Sequence, residues 1–277
     1  GQAQVGGHLG RRHASWQSCN RGLLSITVAV LCALVIAGGC RSDEPSPKGA
    51  GAVSDLGSPP TAQALDELFI AVDATRAEPS GRYRSDSEKR STNGAYDSGR
   101  LSVRPDGGPE VLVAGTQVYL LSSWFAQAPA RIPWLSVPLS NLAPLENRSP
   151  GLADEVAALA GAAPPGIGPA LAAMRTATEA TSRKDDTLWA RLDLSNMDKV
   201  NPRDQGAVVA WAGLWARKGG ERQIVVKTSL TDGGLIDQVV FDPKGTTPAG
   251  PYTLTLTELG APVPVTTPPS TDTTPLK

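Results

Sequence analysis

The chain has 277 residues, of which 40% are hydrophobic and 19% are charged, and its formal net charge is −1. A charge balance this close to neutral excludes the basic footprint of a nucleic-acid-binding protein. The length is enough for one domain with a sizeable core, and the chain has only two histidines and three cysteines.

Residues 1–39 have the layout of a signal peptide. An apolar run without charge covers 22–39 and follows three basic residues, Arg11, Arg12 and Arg21. The run leads into Ala-Gly-Gly-Cys, which resembles a bacterial lipobox, where the cysteine thiol accepts a diacylglycerol and the peptide is cut just before it. We therefore expect Cys40 to become the acylated first residue and to hold the protein on the extracytoplasmic face of the cell membrane.

Two other interpretations of the run at 22–39 remain open. Its 18 residues are just long enough to span a bilayer as an uncleaved anchor helix. A conventional signal peptide, cut without lipidation, has the same charge pattern.

Cleavage before Cys40 would remove most of the residues that commonly carry catalysis. Both histidines, His8 and His13, and two cysteines, Cys19 and Cys32, lie in the leader. The mature chain would keep 23 basic and 27 acidic residues, a net charge of −4. Without imidazole or a free thiol it has no Ser-His-Asp or Cys-His machinery, no zinc site of those ligands and no disulfide framework. We expect no catalytic residues, no metal and no cofactor.

Carboxylate chemistry is the remaining ordinary option for an enzyme. A glycosidase needs two carboxylates that face each other across a cleft. The acidic residues here lie mostly in polar, turn-like contexts such as 42–44 and 184–186, which is typical of solvated surface. We therefore predict that the protein is not an enzyme.

The two ends of the mature chain have the composition of unstructured segments. Residues 41–60 are rich in Pro, Gly, Ser and Ala, and as a flexible tether they would have a root-mean-square reach of about 25 Å. Residues 266–277 are polar and proline-rich and are expected to be a disordered tail. A single domain over 61–265 is expected between them.

The first part of this domain changes from a helical period to a strand period. Thr61 is a plausible N-cap, and a helix that ends before Pro79 would place four apolar residues on one face: Leu65, Leu68, Phe69 and Val72. Short strands are then predicted at 81–90, 95–104, 109–113 and 117–121, with turn signals at 93–94, 106–108 and 115. Tyr83 and Tyr96 are among the few large apolar side chains of the first two strands.

The second part repeats this order with stronger signals. Residues 131–144 are too interrupted by proline for a helix, and short helices follow at 152–161 and 169–176. A hairpin is predicted from 177–183 and 188–194, and a helix from an Asn201 cap with Pro202 at its first position to Lys218. Three strands complete the domain at 223–230, 235–241 and 252–259. Helices and antiparallel strands are thus segregated, which favours an α+β fold with one curved sheet covered on one face.

Several segments, in this order, resemble the actinobacterial LppX/LprAFG lipoprotein family. The matching phrases are ALDELFIAV, AGTQVYLLSSW, PWLSVPLS, LWARLDLS, IVVKTSLTDGGLIDQVVF and YTLTLTELGAPVPVTTPP, which together span about residues 62–269. The resemblance implies a half-open antiparallel β-sheet, an unclosed barrel, wrapped over several helices as in the carriers LolA and LolB. It also implies a carrier that holds a lipid or glycolipid in an apolar cavity between sheet and helices.

The helices supply the candidate lining of such a cavity. The candidates are Phe69, Val72, Leu171, Met174, Trp211, Leu214 and Trp215. The same apolar stripes also fit plain core packing. The alternative function is an interaction module that binds a cell-envelope protein through its sheet edge or loops and holds no small molecule. A carrier needs a cavity of several hundred Å3, whereas a module has a filled interior and an exposed apolar patch.

Overall fold

The computed structural model describes residues 56–88, 90–108, 110–124 and 133–276. The leader, Cys40 and residues 41–55 of the expected tether lie outside the described residues. Residues 51–277 form one unit by their internal contacts, and every described helix and strand belongs to it. Its helices and strands bury one shared apolar core, so we expect this unit to fold on its own.

Twelve strands of the described part of the chain form a single sheet. They are β1 Ser80–Ser87, β2 Arg90–Asp97, β3 Arg100–Pro105, β4 Val111–Ala114, β5 Gln117–Leu121, β6 Trp134–Pro138, β7 Ala177–Ser182, β8 Thr187–Asp193, β9 Gln223–Leu230, β10 Ile236–Phe241, β11 Tyr252–Thr257 and β12 Thr273–Pro275. Their spatial order is β12-β6-β5-β4-β3-β2-β1-β11-β10-β9-β8-β7. The edge strands β12 and β7 do not pair with each other within the described residues, so the sheet is not closed into a barrel.

Within the described ranges, five α-helices accompany the sheet. They are α1 Ala62–Ala77, α2 Ala143–Glu146, α3 Leu152–Ala160, α4 Gly168–Ala173 and α5 Gln205–Arg217. Helix α1 packs on β7, β8 and β10, while α3, α4 and α5 pack on one another. The predicted α+β class and half-open sheet are confirmed. The described helices include none with the length and apolarity that a membrane crossing requires.

The sheet has an apolar inner face and a charged outer face, as expected for antiparallel strands with one solvated side. On β1 the inner residue Tyr83 is buried, whereas its neighbours Arg82 and Arg84 are exposed. Arg82 Nε lies 3.0 Å from Glu258 Oε2, and Arg84 Nε lies 2.9 Å from Asp86 Oδ2. The outer face is therefore stabilised by exposed ion pairs, and the inner face is left for the helices.

Helix α1 begins and ends where the sequence predicts. The Oγ1 atom of Thr61 accepts a hydrogen bond from the Ala64 N–H at 3.1 Å, which is the geometry of an N-cap. On the buried side of the helix, Leu68 and Val72 have no exposed surface. The helix ends at Ala77. Its apolar stripe is therefore part of the core of the domain.

The predicted turn at 93–94 is wrong, because both residues lie inside β2. Gly94 pairs with Tyr83 of β1, and a Cβ atom on Gly94 would lie 2.1 Å from the Cζ atom of the tyrosine ring. The glycine therefore makes room for a ring and does not turn the chain. The first hairpin instead connects Ser87 of β1 to Arg90 of β2. The predicted single strand 95–104 is also wrong, because a two-residue turn at Ser98 and Gly99, with φ angles of 50° and 83°, divides it between β2 and β3.

The predicted start of α5 is also wrong, but its end is confirmed. The helix begins at Gln205, because Asn201 forms a separate turn in which its Oδ1 atom accepts from the Arg203 N–H at 3.0 Å. The helix ends at Arg217, and Gly219 follows with a φ angle of 86°. That left-handed conformation is the reason for a glycine after the helix.

Both ends of the domain are more ordered than their composition suggests. Leu56, which falls in the expected tether, is completely buried, and its carbonyl oxygen accepts hydrogen bonds from the Arg183 guanidinium. The expected disordered tail contains β12, which pairs in parallel with β6 and makes the sheet mixed. Composition does not predict the order of the tail, because backbone hydrogen bonds to a sheet edge need few apolar side chains.

Candidate functional site

A pocket with a cavity volume of about 150 Å3 lies between the inner face of the sheet and helices α3 and α5. The strands contribute Tyr83, Ser85, Ser87, Arg90, Thr92, Val103, Pro105 and Tyr252. The helices and connecting segments contribute Glu155, Ala158, Leu159, Gly166, Trp211, Leu214, Trp215, Lys218 and Ala249. The lining is thus largely apolar, with a small set of polar and charged groups.

The strand register orders these polar groups along the pocket. Tyr83 pairs with Gly94, which in turn pairs with Val103, and these residues form the deep end. Ser87 pairs with Arg90 at the other end of β1, near the hairpin. Tyr83 is buried, Ser87 is half-buried and Arg90 is exposed. The sheet wall therefore changes from apolar at depth to polar at the opening.

Four aromatic rings form one wall of the pocket and the core behind it. The rings of Trp211 and Trp215 stack with centroids 6.5 Å apart and an interplanar angle of 12°. Phe241 lies 5.0 Å from the ring of Trp211 and 5.7 Å from that of Tyr252. Contacts of this kind contribute beyond the area they bury. The wall is therefore a rigid apolar surface.

The orientation of Trp215 is fixed by its neighbours. Its indole Nε1–H donates to the Glu221 carbonyl at 2.9 Å. A Cβ atom on Gly220 would lie 2.0 Å from that Nε1 atom, so a side chain at this position would displace the ring. The glycine after α5 consequently sets the position of a pocket residue as well as the end of the helix.

Tyr83 closes the deep end of the pocket. Its ring lies against Gly94, and a Cβ atom on Gly166 would lie 2.7 Å from the tyrosine hydroxyl. The hydroxyl is buried and has no hydrogen-bond partner among the described residues. Burial, with a smaller contribution from Tyr252, holds the pKa of the Tyr83 phenol well above its ordinary value. The phenol is therefore neutral, and its ring supplies the apolar end wall of the pocket, while its hydroxyl is a polar group at that end.

Three charged side chains line the pocket, two of them basic. Arg90 comes from β2, Lys218 follows α5, and Glu155 comes from the first turn of α3. Lys218 Nζ lies 6.0 Å from the centroid of the Tyr252 ring. Within the part of the chain that the structure describes, neither Arg90 nor Lys218 forms an ion pair with a carboxylate.

A second cleft has a larger volume of about 420 Å3 but a polar lining. Its Arg76 side chain is bonded to Asp204 at 2.7 Å, and Arg175 lies 3.6 Å from Asp73. Arg76 also donates to a backbone carbonyl oxygen, that of Ala163, at 3.0 Å. These partners satisfy the two arginines internally, and Val200 and Pro202 are the only apolar residues in the described lining of this cleft. The first pocket therefore remains the better candidate for an apolar ligand.

The predicted lining residues divide into two sets. Trp211, Leu214 and Trp215 line the pocket. The other four are not among its lining residues, and three of these are completely buried in the core: Val72, Leu171 and Met174. Phe69 lies on α1 beneath the guanidinium of Arg175, 4.6 Å from the ring centroid, and packs against the core.

The sequence interpretation did not assign the sheet side of the pocket. The available signal was the alternation in β1, where Tyr83, Ser85 and Ser87 share the inner face. Serines on an inner face indicate a wall that is not fully packed. The register that adds Arg90 and Thr92 to this wall depends on the hairpin position, which the turn signal at 93–94 misplaced.

The arrangement suits noncovalent binding of an apolar group. Most of its lining is carbon, its polar groups are concentrated near one end, and the pKa of the Tyr83 phenol is raised rather than tuned towards neutrality. Among the residues that the structure describes, no group of three or more His, Cys, Asp or Glu residues could hold a metal ion.

Comparisons with known proteins give matches in structure alone. No protein-family model matches the chain, and no curated protein matches its sequence. LprF from Mycobacterium bovis matches at 15% identity with a TM-score of 0.43, over 76% of this chain and 99% of that chain. The lipoprotein LppX of Mycobacterium tuberculosis matches at 13% identity with a TM-score of 0.37, over 74% and 98%.

This chain is similar to LprF and LppX. The order of the segments predicts this resemblance, and the prediction is confirmed as a similarity of structure.

Proposed function

We propose that the protein is a lipoprotein that is anchored through Cys40 to the extracytoplasmic face of the cell membrane. Its folded domain binds an alkyl chain of a lipid or glycolipid. The observation that supports binding is the pocket itself. Trp211, Leu214 and Trp215, expected from the sequence as cavity-lining residues, face an inner sheet surface that changes from apolar to polar. A pocket of this kind offers an alkyl chain an apolar end for its methyl group and a polar, solvent-exposed end for its headgroup.

The size of the pocket limits the affinity. An apolar cavity of about 150 Å3 is large enough for benzene, so the enclosed part takes about six carbon atoms. Burial of six methylenes contributes about 5 kcal/mol before ordering costs, which corresponds to a Kd of about 0.2 mM. Contacts along the open end would add to this. We therefore expect weak to moderate binding of one chain.

The same size favours a second candidate, an interaction module for a cell-envelope protein. Ligand pockets usually have volumes of about 300–1,000 Å3, and the cavity here is smaller. A module of this kind would use the fold as a rigid support and leave the pocket empty.

Native mass spectrometry of the folded unit distinguishes the two candidates. Residues 51–277, exported from cells of the source organism behind a cleavable signal peptide without a lipobox, should carry an additional mass that organic extraction releases as a lipid or glycolipid. Because the expected affinity is low, the apo protein should also be titrated with medium-chain amphiphiles while the intrinsic tryptophan fluorescence, to which the pocket residues Trp211 and Trp215 contribute, is recorded. Absence of any bound mass and of any fluorescence response would favour the interaction module.

Lipidation is tested separately in the full chain. Labelled palmitate should be incorporated into the wild-type protein and lost in Cys40→Ala. The matched control is Cys32→Ala, a thiol within the expected leader, which should keep the label. Label that persists in Cys40→Ala would contradict the proposed anchor.

A further inference from the structure

The charged groups of the pocket show which class of amphiphile it would take. Given the proposed function, on which this inference rests, we propose that the pocket selects a single-chain amphiphile with an anionic headgroup, a carboxylate or a phosphate monoester. The chain would lie towards Tyr83 and Val103, and the headgroup would lie between Arg90 and Lys218.

The register places chain and headgroup at opposite ends of one wall. From Tyr83 to Ser87 the inner face of β1 extends over four residues, about 14 Å at the rise of an antiparallel strand. Tyr83 pairs with Gly94 at one end, and Ser87 pairs with Arg90 at the other. An extended chain with its methyl end near Tyr83 therefore brings its headgroup to Arg90.

The second cation comes from the opposite wall. Lys218 follows the last turn of α5, beyond Leu214 and Trp215, which line the apolar part of the pocket. An ammonium group at this end of a helix also interacts favourably with the helix dipole, so Lys218 has a structural role as well. An anion between Arg90 and Lys218 would meet a cation from the sheet and a cation from the helix.

The absence of an ion pair distinguishes Arg90 and Lys218 from basic residues on the outer face of the sheet. On its outer face, Arg84 and Arg104 lie 2.9 and 2.8 Å from Asp86 and Glu110, respectively. Within the described residues, Arg90 and Lys218 have no such partner. Their charge is therefore available to a ligand. A charge-assisted hydrogen bond to a carboxylate or phosphate is stronger than a neutral one.

Two acidic groups oppose an anion in the same region. Among the described lining residues Glu155 is the one carboxylate, so these residues together have a net charge of +1. The carboxylate of Glu88 is not part of the lining, but its Oε1 atom lies 2.6 Å from where a Cβ atom on Gly250 would be. The preference for an anion is consequently moderate, and it should increase when Glu155 is neutralised.

The size of the pocket limits the ligand to one chain. Tyr83, fixed between Gly94 and Gly166, ends the apolar space. The cavity volume of about 150 Å3 leaves no place for a second or third acyl chain. A diacyl lipid would have to leave one chain in water, which removes the gain of about 0.8 kcal/mol per buried methylene for that chain.

The test compares headgroups on one chain length with the folded unit, residues 51–277. Decanoate, 1-decanol and decyltrimethylammonium are titrated below their aggregation limits, with tryptophan fluorescence and calorimetry as readouts. Decanoate should bind at least about fivefold more tightly than decyltrimethylammonium at low salt. The preference should decrease as ionic strength rises, because salt screens exposed charges.

Charge variants then locate the headgroup. Arg90→Gln and Lys218→Gln should each weaken decanoate binding about two- to fivefold and leave decanol binding unchanged, whereas Glu155→Gln should strengthen decanoate binding. Arg84→Gln, on the outer face of the neighbouring strand β1, is the matched control and should have no effect on binding.

The possible results separate this inference from the function on which it rests. If none of the three probes binds, the proposed function fails and the inference fails with it. If all three bind equally and the charge variants change nothing, the pocket binds chains without headgroup selection, and the inference alone is wrong. Two further probes test the single-chain assignment. Binding of didecanoyl phosphatidate tighter than that of decyl phosphate, with the gain lost on removal of its second chain, would contradict it.

Discussion

At the scale of single residues, two glycines fix the positions of the rings around the pocket. Gly94 lies beneath the ring of Tyr83, and Gly220 lies against the indole of Trp215. In each case a Cβ atom would come within about 2.1 Å of the ring, a distance at which the ring must move. The glycines are therefore needed for packing, since a larger residue would push each ring out of place.

Alanine at position 94 tests this role. Gly94→Ala should lower the free energy of unfolding by about 1–3 kcal/mol, because the added methyl overpacks the contact with Tyr83. The measurement is chemical denaturation. The matched control is Gly213→Ala on α5, where a Cβ atom meets nothing within 4 Å. This control should raise stability by about 0.5–1 kcal/mol, because alanine is the better helix former. Equal effects of the two changes would contradict the packing role.

Asp242 provides a pH-dependent contribution to stability. Its carboxylate accepts hydrogen bonds at 2.7–2.8 Å from the backbone N–H and hydroxyl groups of Thr246 and Thr247. Burial alone would raise the pKa of this carboxyl, but the hydrogen bonds from the two threonines outweigh it and the pKa is lowered. A folded-state pKa below the unfolded value stabilises the protein above about pH 4, and the contribution is lost as the pH falls further.

The variant Asp242→Asn isolates this contribution. It should cost about 1–3 kcal/mol at pH 7, because an amide cannot accept all four hydrogen bonds. It should also reduce the loss of thermal stability that the wild-type protein shows below about pH 4. Thermal unfolding between pH 2 and pH 7 measures both effects. The exposed turn variant Asp106→Asn should keep the wild-type profile, and an unchanged profile in Asp242→Asn would exclude the carboxylate as its source.

At the scale of elements, the sequence predicts the helical wall of the pocket better than the sheet wall. The stripe of Trp211, Leu214 and Trp215 depends on a local period of 3.6 residues, which is visible in one segment. The sheet wall depends on which residues of β1, β2 and β3 lie side by side, and a shifted hairpin changes every such pair. The glycine at position 94 causes this shift, because in the sequence it has the form of a turn signal, whereas in the structure it makes room for the ring of Tyr83.

Strand β12 covers strand β6 at one edge of the sheet. It pairs in parallel with β6, and the Leu276 N–H donates to the Ser136 carbonyl at 2.8 Å. An uncovered edge strand is a template for pairing with another chain. The proline-rich composition around β12 hid this role, because proline-rich segments usually lack regular structure.

Removal of β12 should therefore expose β6 to pairing with other molecules. A chain that ends at Pro269 should lose about 1–2 kcal/mol of stability through the missing backbone hydrogen bonds, and it should self-associate at high concentration. Thermal unfolding and light scattering measure these effects. A chain that ends at Leu276, which keeps β12 and its contact with Ser136, is the control. An unchanged monomer after truncation at Pro269 would show that β6 needs no cover.

At the scale of the whole molecule, the sheet consists of two consecutive meanders that meet at one strand pair. Strands β1 to β6 run outwards in chain order on one side, and β7 to β11 return so that β11 pairs with β1. The predicted number of strands before and after the middle helices does not determine this junction. It depends on a pairing between residues about 170 positions apart, which no local pattern encodes.

The junction explains where the pocket lies. Tyr83 of β1 and Tyr252 of β11 both line it, while α5 covers them from the connection between β8 and β9. The first meander is thus covered at this place by helices that follow it in the chain. A filled pocket and an empty one are equally compatible with this topology, so the decision between carrier and interaction module depends on the side chains.

Filling the pocket tests this decision directly. Leu159→Trp places a large ring in a partly buried position of the lining and should abolish the fluorescence response to decanoate. Its effect on stability should be small, because the ring enters an existing cavity and does not displace packed side chains. The control Ile70→Trp adds the same ring to an exposed position on α1, where 69% of the residue surface is accessible, and should leave binding intact. Binding that survives Leu159→Trp would place the ligand outside the cavity and favour a surface interaction instead.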